Sequence, residues 1–387
     1  MSKPPSLIVD LGSQLLKAGI CTDKYQDKPY SDNSQHARGI PTTWTKSNSA
    51  SSFSASRVRI PGQISNDSVI SRKVPCIERG NIVNTQCLEE FLKNVYDEML
   101  KVDPDERDIV LTTPTMGSRV DRRWLLQHHF ETLGFESISL QNQCVMSLYS
   151  VGLQSGLSLN IGHGLTQIVP IAEGTIVKEG ASSTYRGGID IDRYMKRLLD
   201  REGCVFISSD ECTVRKIKEQ CGMIVKDFKS DMASSMRGEH KGEIEVELPD
   251  GTPLKVSSMT RMMCPEILFR PEISENYSRG PGVSKALINS LQECPLDTFR
   301  CLVGNIVVGG GSTKFPGFKE RLHFDMSKML QKRASCLEFK CDASVYVGAQ
   351  IFAHLDSKKS ASCWFTQDQY SELGVDRILA VYNEGGV

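Results

Sequence analysis

The pattern that most constrains this chain occurs twice: an apolar strand, a turn that contains glycine, and a second strand. It appears in Leu7–Gly19 and again, near the middle of the chain, in Leu159–Pro170. Each segment predicts a β-hairpin whose first strand ends on a short polar side chain, Asp10 or Asn160. A glycine turn leaves backbone N–H groups uncovered, and such groups are suited to binding phosphate.

The repetition predicts an internal duplication with one hairpin opening each half of the chain. Two such hairpins facing each other would form a clamp for a polyphosphate. Either hairpin alone is more simply explained as an ordinary tight turn. The interpretation therefore depends on the pair and on a third glycine-rich stretch.

Length and composition indicate a globular protein of more than one domain. A chain of 387 residues predicts two domains or two lobes, and 39% apolar with 24% charged residues is ordinary for a soluble protein. The formal net charge of −1 gives no reason to expect affinity for nucleic acid or membranes. No apolar run reaches about 18 residues, so no membrane span is expected.

The cysteine pattern favours unpaired thiols. There are thirteen cysteines, scattered along the chain, with no CxxC pair, and Cys336 and Cys341 lack clustered histidines. We therefore expect free thiols in a reducing compartment, either cytosolic or nuclear.

Alternating strand and helix patterns predict an α/β sheet protein. Six serines in residues 47–56 predict a mobile excursion. Helix Glu211–Val225 is predicted to carry Lys218 and Glu219 on its polar side. The other predicted strands are Asp108–Thr112, Ser137–Leu140, Gly174–Glu179, Glu243–Leu248, Pro253–Val256 and the strand and turn Ser344–Gln350. The other predicted helices are Gln86–Leu100, Val120–Leu133, Gln143–Gly152, Arg193–Arg201 and Phe318–Leu330.

Two further glycine patterns precede helices. Gly187 and Gly188 form a pair before a helix start, a geometry favourable to anions. The third stretch, Gly304–Phe318, runs from a buried strand into three glycines and two hydroxyls, and a helix follows. Glycine permits a bulky ligand to approach the backbone closely. The GxxxxGK[ST] phosphate loop is absent from the sequence, so this is a different kind of site.

With these stretches together, the chain resembles the actin family over almost its whole length. The matching segments are Asp10–Ser13 with Lys17-Ala-Gly, the helix Gln143–Tyr149, Gly162–Pro170, Cys264-Pro-Glu266 and Val308–Gly317. The resemblance implies an α/β, actin-like two-lobed fold from duplicated mixed-sheet domains around a central nucleotide cleft, as in sugar kinases and Hsp70 ATPase domains. It also implies ATP or ADP with Mg²⁺ or Ca²⁺. The similarity is too diffuse for conventional actin, which suggests a divergent actin-related protein.

The resemblance implies four subdomains. The first comprises residues 1–31, 76–150 and 344–387, and the second is the small insertion 32–75 with its Ser-rich loop. The third comprises 151–186 and 277–343, and the fourth is 187–276.

The resemblance also assigns a nucleotide-binding set. Ser13 would cap the terminal phosphates, Lys17 would neutralise phosphate charge, and Lys218 with Glu219 would contact adenosine. Asp190 would lie by the ribose. The full set is Gly12, Ser13, Gln14, Lys17, Gly162, Gly164, Thr166, Gly188, Asp190, Lys218, Glu219, Gly310, Gly311, Ser312 and Phe315. Each of these residues could instead be part of a structural turn or a solvated helix face.

The groups expected to carry hydrolysis are only partly present. Asp10 could hold a metal ion through water, weakly, and Gln143 could orient the attacking water. Asn160 and His163 stand where the family's second loop has aspartates, and Gln167 replaces a histidine. An amide supplies neither a base nor charge for a cation. Slow or absent ATPase activity with nucleotide binding retained is therefore expected.

The second loop's His163 could also be a solvent-facing turn residue. In the first loop, Gln14 replaces a glycine, which would narrow the phosphate pocket.

The segments that would make filament contacts also differ from the family. The family's apolar plug loop matches Pro271–Arg279, where Glu272 and Glu275 introduce charge. Inserting unpaired carboxylates into an apolar groove is costly. The end of the chain, Val381–Val387, is unlike the basic-aromatic end of actin. Poor self-polymerisation is therefore predicted.

Three functions follow from these expectations, in decreasing order of support. The first is a nucleotide-binding structural subunit of a larger cytoskeletal assembly (dynein-associated, dynactin-like or ciliary) in the cytoplasm, with a nuclear chromatin-remodelling subunit as the variant. Its partners would be protein subunits, among them actin or other actin-related proteins. The second is a filament-forming ATPase. The third is a small-molecule kinase, which the missing second-loop acids disfavour.

Overall fold

The computed structural model describes residues 5–21, 38–41, 43–46, 72–105, 107–204, 211–237, 242–248, 251–274, 280–355 and 363–384. The chain divides into two compact units, residues 1–143 with 349–387 (unit 1) and residues 144–348 (unit 2). The serine-rich residues 47–56 lie outside the described residues, so their predicted mobility stays a prediction. Within the described ranges, no helix is both long and apolar enough to cross a membrane.

Strands and helices alternate along the chain, as predicted. The strands are β1 Leu7–Leu11, β2 Leu15–Ile20, β3 Arg38–Pro41, β4 Thr43–Lys46, β5 Arg72–Pro75, β6 Ile77–Glu78, β7 Asn81–Ile82, β8 Asp108–Thr113, β9 Ser137–Asn142, β10 Gly156–Ile161, β11 Thr166–Ala172, β12 Thr175–Ile176, β13 Ser182–Thr184, β14 Ile244–Glu247, β15 Pro253–Val256, β16 Ile306–Gly309, β17 Phe339–Ala343 and β18 Phe365–Thr366.

The α-helices are α1 Thr85–Asn94, α2 Arg119–Gln127, α3 Gln143–Tyr149, α4 Gly188–Arg201, α5 Glu211–Cys221, α6 Phe228–Met236, α7 Ser258–Glu266, α8 Val283–Glu293, α9 Phe299–Gly304, α10 Phe318–Leu330, α11 Val345–Leu355 and α12 Gln367–Glu384. One turn or more of π-helix extends α1 (Val95–Leu100) and α2 (His128–Thr132). Short 3₁₀ segments occur at Lys178–Gly180, Pro271–Ile273, Gly311–Thr313 and Gln331–Cys336.

Unit 1 contains a mixed sheet in the order β18-β9-β8-β1-β2-β3. Strand β1 is buried throughout and lies inside the sheet, paired in parallel with β8 and antiparallel with β2. A strand buried on both faces carries apolar side chains on both, as Leu7, Ile8 and Val9 do. Helix α1 contributes Leu88, Phe91 and Leu92 to the hydrophobic core of unit 1. Their spacing of three and four residues places them on one face of the helix.

Unit 2 repeats the plan with the order β12-β11-β10-β16-β17, and β13 pairs with β11. Strand β10 pairs antiparallel with β11 and in parallel with β16, as β1 does with β2 and β8. The two units thus have matching hairpin-plus-parallel-strand arrangements. This confirms the prediction of an α/β fold built from duplicated mixed-sheet domains.

Several secondary-structure predictions were wrong in part; α4, for example, begins at Gly188 and not at the predicted Arg193. Ser344–Gln350 is not a strand; α11 begins there because Ser344 caps it, accepting from the Val347 amide at 3.4 Å and the Gly348 amide at 3.0 Å. Only Thr175–Ile176 of the predicted strand 174–179 is extended. Helix α5 ends at Cys221, four residues before the predicted end at Val225. The next residue, Gly222, packs so closely against the Phe315 ring that a Cβ there would lie 2.5 Å from it.

The expectation that all cysteines are free thiols is also wrong. Cys76 and Cys87 form a disulfide in unit 1, with their Cα atoms 5.5 Å apart. The two residues are separated by ten others, and no local sequence signal pairs them. The remaining eleven cysteines are thiols outside any disulfide.

Candidate functional site

The first glycine hairpin is confirmed in unit 1. Asp10 faces Lys17 across the β1–β2 ladder, and Gly12, Ser13 and Gln14 form the turn. A Cβ on Gly12 would lie 2.4 Å from the Leu15 carbonyl oxygen, so only glycine fits. The turn therefore requires a residue without a side chain at this position.

Asp10 and Gln143, which are far apart in sequence, lie together at the end of β1. The Asp10 Oδ1 atom accepts from the Thr112 hydroxyl at 2.6 Å and from Gln143 Nε2 at 3.2 Å. Gln143 Nε2 also lies 3.2 Å from the Leu11 carbonyl oxygen. The carboxylate is thus buried and oriented by two donors. Sequence reasoning missed Thr112, which is at the end of β8, the parallel neighbour of β1.

Ser13 contacts a second turn that sequence reasoning also missed. The Gly80 amide donates to Ser13 Oγ at 2.9 Å. Gly80 and Arg79 connect β6 to β7, and both have positive φ, 78° and 49°. This is the conformation of a tight two-residue hairpin turn. The β6–β7 hairpin therefore positions the hydroxyl that was predicted to cap phosphate.

The second glycine hairpin is confirmed in unit 2, where Asn160 faces Gln167 across the β10–β11 ladder. Its turn is closed by the Gly162 amide, which donates to the Leu165 carbonyl at 2.9 Å. Gly164 and Gln167 are buried, whereas His163 is half-buried. His163 is therefore not the fully solvent-facing residue of the alternative interpretation.

The start of α4 holds this hairpin rather than offering its amides to an anion. The Gly188 amide donates to the Gly162 carbonyl at 3.0 Å, and the Ile189 amide donates to the His163 carbonyl at 2.9 Å. Asp190 is fully buried and accepts from the Gly187 amide at 2.9 Å, capping the helix. The anion-friendly interpretation of the glycine pair was therefore wrong for the Gly188 and Ile189 amides.

The third glycine stretch packs on the same hairpin. Gly310 has φ of +95°, and a Cβ there would lie 2.3 Å from the Ile161 carbonyl oxygen and 2.7 Å from Asn160 Oδ1. Ser312 donates to the Gly162 carbonyl at 3.2 Å. A Cβ on Gly311 would meet open space, so this glycine leaves its backbone accessible.

Lys218 is buried in an ion pair and does not lie on a solvated helix face, which corrects the prediction. Its Nζ atom is 2.8 Å from Asp192 Oδ1 and 3.5 Å from the Gly188 carbonyl oxygen. Arg215 also pairs with Asp192, at 3.5 Å. Glu219, its neighbour, is exposed as predicted. No local pattern marks Asp192, because its partners come from a different helix.

Two other members of the predicted set make structural contacts. The Thr166 hydroxyl donates to the Arg186 carbonyl at 2.6 Å, and Arg186 in turn donates to the Pro281 carbonyl at 2.9 Å. Burial lowers the pKa of the Arg186 guanidinium, and Asp190 opposes that shift. Phe315 is buried against Gly222, whose Cβ would lie 2.5 Å from the Phe315 ring.

The acidic groups suited to a metal ion are few. Over the described parts of the chain, no group of three or more His, Cys, Asp or Glu side chains could hold a metal. The end of β10 carries Asn160 and the facing strand carries Gln167, both of them neutral amides. Asp10 is the single carboxylate that the sequence assigned to a metal, and both described donors approach its Oδ1 atom.

We next compared the sequence with models of known protein families. The model of the actin family matches residues 1–381. The chain belongs to the actin family. Actin-family folds generally bind a nucleotide with a divalent cation, and actin-family proteins generally bind protein partners.

The actin-family membership gives each unit a candidate phosphate loop. Unit 1 brings together Gly12, Ser13, Asp10 and Gln143. Unit 2 brings together the hairpin turn, the start of α4 and the end of β16, which contain Gly162, Gly164, Thr166, Gly188, Asp190, Gly310, Gly311 and Ser312. Glycine is required at Gly12 and Gly310, because a Cβ there would overlap a carbonyl oxygen of the neighbouring backbone. The nucleotide contacts of these residues stay predictions.

Proposed function

We propose that this actin-family protein is a nucleotide-binding structural subunit of a larger cytoskeletal assembly, with weak or no ATP hydrolysis. The observation that carries the proposal is that Asn160, near the end of β10, faces Gln167, near the start of β11. Gln167 is buried, and both side chains are neutral amides. Neither can supply the negative charge or the proton acceptor that hydrolysis requires.

Nucleotide binding is retained in this proposal because unit 1 keeps its polar groups. Ser13 and the glycine turn at Gly12 would contact phosphate, and Asp10 would hold Mg²⁺ or Ca²⁺ through water. Gln143 lies beside Asp10 and would orient a water molecule. ATP or ADP would then act as a structural ligand, because binding needs the positioned donors whereas turnover also needs acidic and basic groups.

The second candidate is a filament-forming ATPase. The Glu272 carboxylate, predicted to disfavour filament contacts, pairs with Arg270 at 3.1 Å on the surface. A paired carboxylate is less unfavourable at an interface than an unpaired one. This pair supports the second candidate, but it leaves the Asn160–Gln167 pair unexplained.

The nucleotide proposal is tested by denaturing the protein after purification without added nucleotide and identifying what is released by mass spectrometry. We expect stoichiometric ATP or ADP. A protein that releases no nucleotide, and that also fails to bind added ATP with Mg²⁺ or Ca²⁺, would contradict it.

The assembly proposal is tested by affinity purification of the tagged protein from its own cells at near-native level. Dynein-associated, dynactin-like or ciliary chains at fixed ratio are the expected result. Chromatin-remodelling subunits would move the same structural role to the nucleus. Recovery of this chain alone, or with conventional actin alone, would favour the filament-forming ATPase.

A further inference from the structure

The Cys76–Cys87 disulfide closes a short segment that carries the β6–β7 hairpin. Hydrogen bonds also connect the two ends of this segment. The Cys76 carbonyl accepts from the Val83 amide at 3.0 Å and the Asn84 amide at 3.4 Å, and Asn84 Oδ1 accepts from the Cys87 amide at 2.9 Å. The disulfide and these bonds together connect β6 to the first turn of α1.

The closed segment makes two outward contacts within unit 1. The Gly80 amide donates to Ser13 Oγ in the first glycine hairpin, at 2.9 Å. The Ile82 amide donates to Asp121 Oδ2 on α2, also at 2.9 Å. The hairpin tip therefore connects the disulfide to a side chain in the turn predicted to bind phosphate.

We propose that Cys76 and Cys87 are a redox modification site, and that the disulfide holds the Gly80 amide against Ser13. The part of this proposal that concerns nucleotide retention rests on the proposed function. With the disulfide formed, the β6–β7 hairpin has less freedom to leave Ser13, because its two ends are covalently joined. Reduction removes the covalent link and leaves the hydrogen bonds at those ends, so the Ser13 contact opens more often.

The chemistry is thiol–disulfide exchange with a small-molecule disulfide such as glutathione disulfide. The Cys87 thiolate attacks one sulfur of that molecule, releasing one glutathione thiolate and forming a mixed disulfide. The Cys76 thiolate then attacks Cys87 Sγ, forming the protein disulfide and releasing the second glutathione thiolate. The protein thiols lose two protons and two electrons, which the two departing glutathiones take up.

Burial determines which cysteine reacts first and how fast. Cys87 is 7% exposed, whereas Cys76 is 0% exposed. A small thiol or disulfide therefore reaches Cys87 before Cys76, and exchange requires local opening at the start of α1. Equilibration over hours rather than seconds is expected for so buried a pair.

The experiment uses the full-length protein, equilibrated in glutathione buffers from reducing to oxidising. Alkylation and peptide mass spectrometry give the redox state of the Cys76–Cys87 pair, and hydrogen exchange gives the opening of residues 77–83. Dissociation of a fluorescent ATP analogue gives nucleotide retention. The matched control is Cys301→Ser, which removes an exposed free thiol.

We expect hydrogen exchange in residues 77–83 and analogue dissociation both to be at least about fivefold faster in the reduced protein. The Cys76→Ser/Cys87→Ser double variant should match the reduced protein in every buffer, and Cys301→Ser should match wild type. If the double variant does not fold, wild type held in dithiothreitol provides the same comparison.

Two results would overturn the inference: a Cys pair that stays reduced in the most oxidising buffer, or equal hydrogen exchange of residues 77–83 in both redox states. Equal dissociation rates of the ATP analogue from the oxidised and reduced protein would overturn the proposed effect of the disulfide on nucleotide retention. If neither state binds nucleotide, the proposed function fails, and the hydrogen-exchange comparison alone decides the role of the disulfide.

Discussion

The two glycine hairpins have the same backbone plan but different polar groups at their ends. In unit 1 the last residue but one of the first strand is Asp10, a carboxylate oriented by Thr112 and Gln143. In unit 2 the same position of the matching strand is Asn160, opposite another amide, Gln167. The comparison teaches that the hairpin shape and the polar groups predicted to act in hydrolysis are separable, because glycine spacing sets the former and individual side chains set the latter.

The hairpins also differ in what fixes their turns. The unit 1 turn is fixed through a side chain, Ser13, by the Gly80 amide. The unit 2 turn is fixed through its backbone carbonyls by the start of α4 and by Ser312. Substitutions of the residues that fix the turns should therefore disturb the predicted ligand contacts in unit 1 and the folding of unit 2.

The largest expected effect is Gly310→Ala in unit 2. Its φ of +95° disfavours any side chain, and the new methyl would overlap the Ile161 carbonyl. We expect unit 2 to lose about 3–4 kcal/mol of unfolding free energy, measured by urea denaturation. Gly311→Ala is the matched control, since its methyl meets open space; equal losses in the two variants would contradict the packing described.

Lys218→Met should cause the next largest loss of unfolding free energy. Among the described residues, the change leaves the buried Asp192 with Arg215 as its remaining ion-pair partner, so we expect a loss of about 2–3 kcal/mol in unfolding free energy. Lys216→Met, at an exposed position on the same helix, is the control. A Lys218→Met variant that keeps full stability but loses nucleotide would favour the adenosine contact over the structural one.

Asp10→Asn tests the charge in unit 1. The amide keeps the size of the side chain but removes the charge, so we expect metal–nucleotide affinity to fall by about 2 kcal/mol, or roughly thirtyfold. Titration with a fluorescent ATP analogue measures this loss. Asn160→Gln, which changes size without changing charge, should have a smaller effect; the reverse order would break the comparison between the hairpins.

Acid should destabilise unit 1 through His129. This ring is fully buried, with Nδ1 2.7 Å from the Leu125 carbonyl oxygen and Nε2 3.0 Å from the Tyr96 hydroxyl. Burial, with a contribution from His128, lowers the pKa of His129 from 6.5 to about 3. Below pH 6.5 the unfolded chain takes up a proton that the folded chain does not.

Its contribution to stability is therefore complete above about pH 6.5 and declines towards pH 3, by about 1.4 kcal/mol per pH unit. Unfolding free energies at pH 7, 6, 5 and 4, resolved by hydrogen exchange in unit 1, measure the slope. His129→Gln should flatten it, whereas the exposed His323→Gln in unit 2 should not. Parallel slopes in wild type and His129→Gln would contradict the assignment.

Sequence reasoning found both hairpins because their signals are local. Glycine turns between apolar strands are readable within a dozen residues, as at Gly12 and Gly162. The contacts that fix those turns were not readable, since Ser13 meets Gly80 and Lys218 meets Asp192 only after distant elements pack. The cysteine pair was missed although its members are close in sequence, because no local sequence signal pairs them.

Local propensity also misled at one place. Val345, Tyr346 and Val347 favour strands, yet they begin α11 because Ser344 caps the helix. The Ser344 amide is itself bound by the Ser150 hydroxyl, at 3.1 Å. A cap supported by a residue almost two hundred positions away cannot be inferred from a short window.

Single-turnover hydrolysis of bound ATP, compared between wild type and Asn160→Asp/Gln167→His, tests the separation of binding from hydrolysis most directly. We predict stoichiometric binding with slow or no phosphate release in wild type, and faster release in the double variant. Wild-type hydrolysis at or above the rate of conventional actin assayed alongside would contradict it.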